Sequence, residues 1–218
     1  DVVIPDVIKD ASGEIPVTAI GDNAFAGSKA AKITVGNNVK KIGNYAFAYC
    51  LSLKEINLGK NVTSIGDGAL ATKKYDTVMN IRTLTLPDNL KVIGDNLFGT
   101  TDGYYTGVSI FNIPDSVAYI DSSFLHREST KEFNVGEKNT VYSSDNGVLY
   151  NKDKTELIRC PKGTALNSYD VAESVIKIDN NAFFCCSGIK IINVNDKAES
   201  IGSWAFAYCT SLTEINLG

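Results

Sequence analysis

The chain has 218 residues, 44% of them apolar and 21% charged, which describes a folded globular protein and excludes disorder and collagen-like structure. Its 21 basic and 25 acidic side chains leave a formal net charge of −4, too little of either sign for an electrostatic nucleic-acid binder. No apolar run approaches the ~20 residues that cross a bilayer, so no membrane insertion of this segment is expected; the single histidine, His126, excludes HExxH zinc chemistry.

Taken in chain order, the predicted elements repeat. Alternating apolar and polar residues predict a short strand with one buried face at Val2 and Ile4. A lengthened connection from Asp6 to Glu14 leads into V-x-x-I-G-x-x-A-F, Val17 to Phe25. The next strand has Ile33 and Val35 inward, and the following unit, Val39 to Gly59, reads V-K-K-I-G-N-Y-A-F-A-Y-C-L-S-L-K-E-I-N-L-G. Its AFAYC and EINLG recur in the same phase at the end of the chain. Further inward pairs are Ile56 and Leu58, Leu84 and Leu86, Phe111 and Ile113, Phe133 and Val135, Tyr169 and Val171, Ile192 and Val194, and Ile215 and Leu217. Nine strands follow. Between the members of each pair stands a mostly polar residue, Asn57, Asn112, Asn134 and Asn193 among them, expected to line the open face of a parallel ladder with strands ~4.8 Å apart.

Isoleucine recurs at one phase as Ile20, Ile42, Ile65, Ile93, Ile120, Ile178 and Ile201, all expected to be buried. The segment around each reads as a short extended piece, a turn at the following glycine, and one helical turn that brings Ala and Phe inward. Asp121 and Asp179 in place of that glycine fit a turn position with left-handed backbone. The undisturbed period, Val39 to Val62, is 23 residues. About six inward side chains contribute roughly 15 kcal/mol per unit, no more than the cost of ordering its backbone. A unit should therefore fold only when stacked on neighbours.

Insertions break the period at Lys74 to Asn80, at Asp102 to Gly107, and from Gly136 to about Asn167. The first two occupy the same phase of neighbouring units and should project side by side. The third predicts a β-hairpin, Gly147 to Asn151 against Glu156 to Cys160, around a polar turn. Asn151, Asp153 and Thr155 then serve the turn, since a calcium loop would need a glycine and a distal glutamate. The chain starts and stops inside a unit, which leads us to expect a longer natural protein.

The phase L-x-x-I-x-L-x-x-N, as at Leu53 to Asn61 and Ile81 to Asn89, joined to V-x-x-I-G-x-x-A-F-x-x-C, resembles the BspA-like subclass of bacterial leucine-rich repeats. The hairpin D-N-G-V-L-Y-N-K-D-K-T-E-L-I-R-C, Asp145 to Cys160, is similar to an insertion of that subclass. The resemblance implies a leucine-rich-repeat right-handed solenoid, mostly β, over residues 1–218: a parallel concave strand ladder with short helical turns and one inserted hairpin at about 136–167. It also implies an extracellular or cell-surface, non-catalytic module of adhesion type, whose partner is a protein or a glycan on a host or bacterial surface. The alternative is a structural spacer that displays another part of a larger surface protein.

The chemistry-bearing residues agree with a binding reading. Five cysteines lack the C-x-x-C spacing of a zinc site, and Cys50, Cys186 and Cys209 share an inward phase where a thiol packs as a small hydrophobe. His126 reads as a surface residue with no nucleophile in a recognisable elbow, so no catalytic, cofactor or metal residues are assigned. Asn38, Asn61 and Asn89 are expected to bond neighbouring backbone inside the coils. Ile110 and Ile191 fall at outward ladder positions, where exposed isoleucine calls for cover or a partner. Beside Ile110 the two loop insertions bring Tyr75, Tyr104 and Tyr105, rings with an apolar body and polar tip, into one candidate edge patch.

Overall fold

The strict alternation of apolar and polar residues forms strands at each of the nine expected places: Val2–Ile4, Lys32–Val35, Glu55–Asn57, Thr83–Thr85, Ile110–Ile113, Glu132–Val135, Ser168–Asp170, Ile191–Val194 and Glu214–Leu217. The structure, a computed structural model, describes residues 1–71, 81, 83–94, 97–98, 108–120 and 130–218. The chain divides into two compact units, Asp1–Val108 with Ser116–Glu128, and Ser109–Asp115 with Ser129–Gly218. Each is a stack of β coils.

In the first unit four of these inner strands form a parallel ladder, Val2–Ile4, Lys32–Val35, Glu55–Asn57 and Thr83–Thr85. Like faces like: Ile33 lies opposite Ile56, and Ile56 opposite Leu84. A second parallel ladder is built from the K-I phase, Ala19–Ile20, Lys41–Ile42, Ser64–Ile65, Val92–Ile93 and Tyr119–Ile120. Ile20, Ile42, Ile65 and Ile93 are buried between the ladders with Val39, Phe47 and Leu53. The Phe47 ring stacks on Phe25 of the coil before it, centroids 5.8 Å apart.

The second unit holds inner strands Ile110–Ile113 and Glu132–Val135 as one pair, and Ser168–Asp170, Ile191–Val194 and Glu214–Leu217 as a three-stranded ladder. The predicted hairpin is present as Val148–Asn151 antiparallel to Glu156–Arg159, extended by Tyr142–Asp145. Its Glu156–Arg159 strand then pairs in parallel with Lys177–Ile178, so the hairpin takes the place of one coil's outer strand. Val148, Leu157, Val175, Ile178 and Phe183 form the core beneath it.

The structure corrects four expectations. The A-F segments are not helical: no helix occurs among the described residues, and residues 22–27, 44–49 and 203–208 are runs of turns. Alternate amides there donate across to the next coil, Asn23 N–H to the Asn44 carbonyl at 2.9 Å and Phe25 N–H to Ala46 at 2.8 Å. Only the intervening amides close local turns, so the i to i−4 pattern of a helix has no donors left.

The glycines after the isoleucines do not supply left-handed backbone. Positive φ lies two residues later, at Asn23, Tyr45, Gly68, Asn181 and Trp204. The reason for the glycine is close approach: a Cβ on Gly43, Gly66, Gly94 or Gly202 would lie within 2.8 Å of backbone in the coil before. Asp179 opens a turn of the same kind, its carbonyl accepting from Ala182 N–H at 3.2 Å, but it packs over the hairpin strand Glu156–Arg159, where its N–H donates to the Leu157 carbonyl at 3.0 Å. Asp121 lies outside the described residues.

Not all seven isoleucines are buried. Ile120 is half-buried, and Ile201, 44% exposed, lies in the last coil with a neighbour on one side only, as do Ile215 and Leu217. Finally, the connection after the first strand is itself a hairpin, Val7–Asp10 against Gly13–Pro16, with Ile8 opposite Ile15.

Candidate partner-binding surface

Parallel, in-register pairing aligns the outward residues of the inner strands into rows. In the first unit Thr34, Asn57 and Thr85 share one row. In the second, Asn112 pairs with Asn134, and Asp170, Asn193 and Asn216 follow one another across three strands. Neighbours in such a row stand ~4.8 Å apart, near enough for amide side chains to bond each other.

They do so with a direction. Asn216 Nδ2 donates to Asn193 Oδ1 at 2.7 Å, and Asn193 Nδ2 donates to Asp170 Oδ1 at 2.5 Å. Asn216 also reaches Glu214 Oε1 at 3.0 Å. Each carboxamide is oriented by its neighbour, and the chain ends on a carboxylate, the strong acceptor. In the first unit Asn57 Nδ2 donates to Glu55 Oε1 at 2.9 Å, and Glu55 pairs with Lys32 across the ladder at 2.8 Å. The Lys32 ammonium, then Asn57, hold the Glu55 carboxyl below its usual range. Ordered side chains lose little further entropy when a partner docks.

Asn112 and Asn134 are exposed, whereas Asn57 and Asn193 are half-buried. Ile110 is 48% exposed on the face of its strand, opposite Glu132. Ile191 is half-buried instead, between Ser168 and Glu214 in register. Tyr75, Tyr104 and Tyr105, the rest of the expected edge patch, lie outside the described residues, as does His126.

Asn61 and Asn89 bond neighbouring backbone as expected, but from exposed positions, not from inside the coils: Asn61 Nδ2 donates to the Asn37 carbonyl at 2.9 Å and Asn89 Nδ2 to Lys60 at 3.0 Å, each binding the coil before it. Asn38 does the same to Asp6 at 3.1 Å. Asn151 closes the hairpin turn, donating to Thr155 Oγ1 at 2.8 Å and accepting from Glu156 N–H at 3.0 Å. Among the described residues no group of three or more His, Cys, Asp or Glu could hold a metal ion.

All five cysteines are free thiols. Cys50, Cys186 and Cys209 are buried and donate to carbonyls of the preceding coil, Cys50 Sγ to Phe25 O at 3.2 Å and Cys209 Sγ to Phe183 O at 3.0 Å. Burial raises the Cys50 thiol and pushes Cys209 up to about 12, while a hydrogen bond with Cys186, followed by burial, raises Cys160. Protonated, enclosed thiols are packing groups and poor nucleophiles.

One feature of the surface escaped the sequence reading. Aromatic residues flank the inward A-F-A in N-Y-A-F-A-Y and S-W-A-F-A-Y on left-handed backbone, Tyr45, Tyr49, Trp204 and Tyr208, with φ between 54° and 61°; Tyr45 and Tyr49 are half-buried, the Tyr45 ring lying against Gly68 of the next coil. Trp204 and Tyr208 are 63% and 62% exposed. The repeat of those two hexapeptides was the available signal.

No curated protein matches the sequence. Among solved structures the fold is similar to the pneumococcal vaccine antigen PcpA, at 24% identity and a TM-score of 0.75 over 99% of this chain and 60% of that one. It is also similar to a leucine-rich repeat protein of Eubacterium ventriosum, at 23% identity and TM-score 0.71 over 93% of this chain and 58% of the other. A leucine-rich repeat protein of Bacteroides ovatus aligns at 22% identity and TM-score 0.57, over all of this chain and 69% of its own. The chain thus spans about 60% of the length of the first two. The model of the BspA-type leucine-rich repeat region matches residues 18–156 and 161–218 in six copies, and with the parallel ladders and the glycine-tightened turns it establishes that this chain belongs to the BspA-type leucine-rich repeat family.

Proposed function

We propose that this chain is a non-catalytic segment of a bacterial surface protein, and that it binds a protein partner through the outward face of its inner strands. The observation that carries the reading is the directional side-chain chain Asn216 to Asn193 to Asp170, a row of polar groups oriented before any partner arrives. Exposed Asn112, Asn134 and Ile110 on the other inner strand pair of the same unit offer the same chemistry with one apolar anchor. Interfaces of this kind combine a few anchors with hydrogen bonds roughly every 100–200 Å² of buried area. Tyr75, Tyr104 and Tyr105 are the proposed aromatic contributors at the edge.

The extracellular, adhesive role rests on the family to which the chain belongs; a structure of similar fold is a pneumococcal vaccine antigen. The non-catalytic role rests on the family, and the cysteines that carry raised thiols are enclosed as packing groups. The experiment is a binding comparison, on immobilised host matrix and surface proteins, between the wild-type chain and a folded variant with altered ladder-face residues. Loss of binding by the variant is the expected result.

A further inference from the structure

Three cysteines at one phase of the repeat reach back to the coil before them. Cys50 Sγ donates to the Phe25 carbonyl at 3.2 Å and Cys209 Sγ to the Phe183 carbonyl at 3.0 Å. Cys186 Sγ does the same at 3.5 Å, but the carbonyl it meets is that of Cys160. In the hairpin coil Cys160 occupies the phenylalanine position: its N–H donates to the Ala182 carbonyl as Phe25 N–H does to Ala46 and Phe183 N–H to Ala205. One thiol therefore faces another across adjacent coils. The two are hydrogen-bonded to each other, and both residues are fully buried.

The contact falls where the stack has few backbone bonds. From the coil of Phe183, the amides of Asn181, Phe183 and Cys185 donate to Ser203, Ala205 and Ala207 of the next coil. Among the described residues of the hairpin coil, Cys160 alone donates across this row. Pro161, which follows it, has no N–H to give, and Gly163 N–H donates to the Thr130 carbonyl instead.

We propose that Cys160 and Cys186 form a disulfide in oxidising surroundings, a covalent tie between the hairpin and the coil after it. Sulfurs in hydrogen-bond contact lie within about 2 Å of the ~2.05 Å bonding distance, a gap that side-chain rotation can close. With glutathione disulfide as oxidant, the two thiols lose two protons and two electrons, one S–S bond forms as the glutathione S–S bond breaks, and two glutathione thiols leave. Because the closed coils enclose both sulfurs, this exchange takes place as the hairpin docks during folding. The bridge joins residues 26 positions apart and restricts the unfolded chain, which stabilises the fold. The other thiols are placed differently. Cys209 bonds the Phe183 carbonyl and the Cys186 backbone, and Cys185 is half-buried on left-handed backbone. Formation of the bond in the cell rests on the extracellular reading proposed above, since disulfides persist in oxidising compartments; its formation in a glutathione buffer does not.

The experiment refolds the full chain in a mixture of reduced and oxidised glutathione, alkylates the remaining thiols under denaturing conditions, and maps the peptides by mass spectrometry. The expected product has Cys160 linked to Cys186, with Cys50, Cys185 and Cys209 alkylated. Trypsin leaves Cys185 and Cys186 on one peptide, so Cys185→Ser must keep the link and Cys186→Ser must abolish it. The linked protein should melt at least ~4 °C above the same protein treated with dithiothreitol, and Cys186→Ala should remove that difference. Should Cys186→Ala not fold, Cys160→Ala serves the same comparison. Five alkylated cysteines in the refolded wild type, a predominant bond to Cys185 or Cys209, or a linked protein no more stable than the reduced one would each overturn the proposal. A failure here leaves the surface reading standing, because the refolding is done outside the cell.

Discussion

Gly43 packs so tightly on Asp22 that a methyl group in place of its hydrogen would lie 2.7 Å from the Asp22 amide nitrogen. Gly66 stands in the same relation to Asn44, and Gly202 to Asn180. Gly21 occupies the same phase of the first coil, and a Cβ there meets nothing within 4 Å. Gly66→Ala should therefore destabilise the chain by about 2 kcal/mol or more through overpacking, whereas Gly21→Ala should be neutral or stabilise by up to ~1 kcal/mol. Denaturant unfolding of the two variants checks this; equal effects would contradict the stacking explanation.

Phe47 is fully buried between coils and stacked on Phe25. Its replacement by alanine removes a large ring from a site that backbone pairing on both sides keeps from collapsing. Phe47→Ala should cost about 3–5 kcal/mol. A loss below ~1 kcal/mol in equilibrium unfolding would remove Phe47 from the core.

Inner strands were legible in the sequence because period-2 alternation is a local signal, and the outward asparagines followed from the same alternation. The Val148–Arg159 hairpin was legible for the same reason, two apolar segments flanking a polar turn. What was hidden is what depends on the next coil. The spacing of Ala46 and Phe47 after Gly43 reads as one helical turn, yet the amides that would close it donate to residues about 23 positions away, as Phe47 N–H does to Ala69 at 2.9 Å. Gly43 looked like a left-handed turn residue until its contact with Asp22 was seen. In the site, Asn193 could be placed on the outward face, but the direction of its bonds to Asp170 and Asn216 could not. The Val7–Pro16 hairpin was missed because its faces are exposed and its apolar residues few.

The buried hydroxyls of Tyr150 on the hairpin and Tyr169 on the inner ladder bond each other. Burial raises the pKa of both, so both remain neutral. Tyr169→Phe should leave Tyr150 without this partner and destabilise by about 1–3 kcal/mol, and adding Tyr150→Phe should recover part of that loss. A double-mutant cycle measured by denaturant unfolding gives the coupling; strictly additive effects would show that the pair does not join hairpin to ladder.

Raised thiols predict a pH dependence. An unfolded cysteine ionises near pH 9, whereas burial holds Cys209 protonated to about 12 and raises Cys50, and a hydrogen bond with Cys186, followed by burial, raises Cys160. Below about pH 9 both states are protonated and the stabilisation is complete; above it only the unfolded state loses the proton, so stability falls as pH rises toward 12. Melting temperature should drop between pH 8.5 and about 11, and Cys209→Ala should flatten that slope. A slope unchanged in the variant would place the effect elsewhere.

The ladder face as the partner surface is tested most directly by charge. In the variant Asn112→Lys, Asn193→Lys, lysines replace two outward residues, one on the inner strand pair and one on the three-stranded ladder. Binding of wild type and variant to an array of immobilised host matrix and surface proteins is measured by biolayer interferometry, after circular dichroism has shown both to be folded. The account predicts that a protein held by the wild type is bound at least tenfold more weakly by the variant, about 1.4 kcal/mol. Equal affinity of the folded variant for that protein would contradict it.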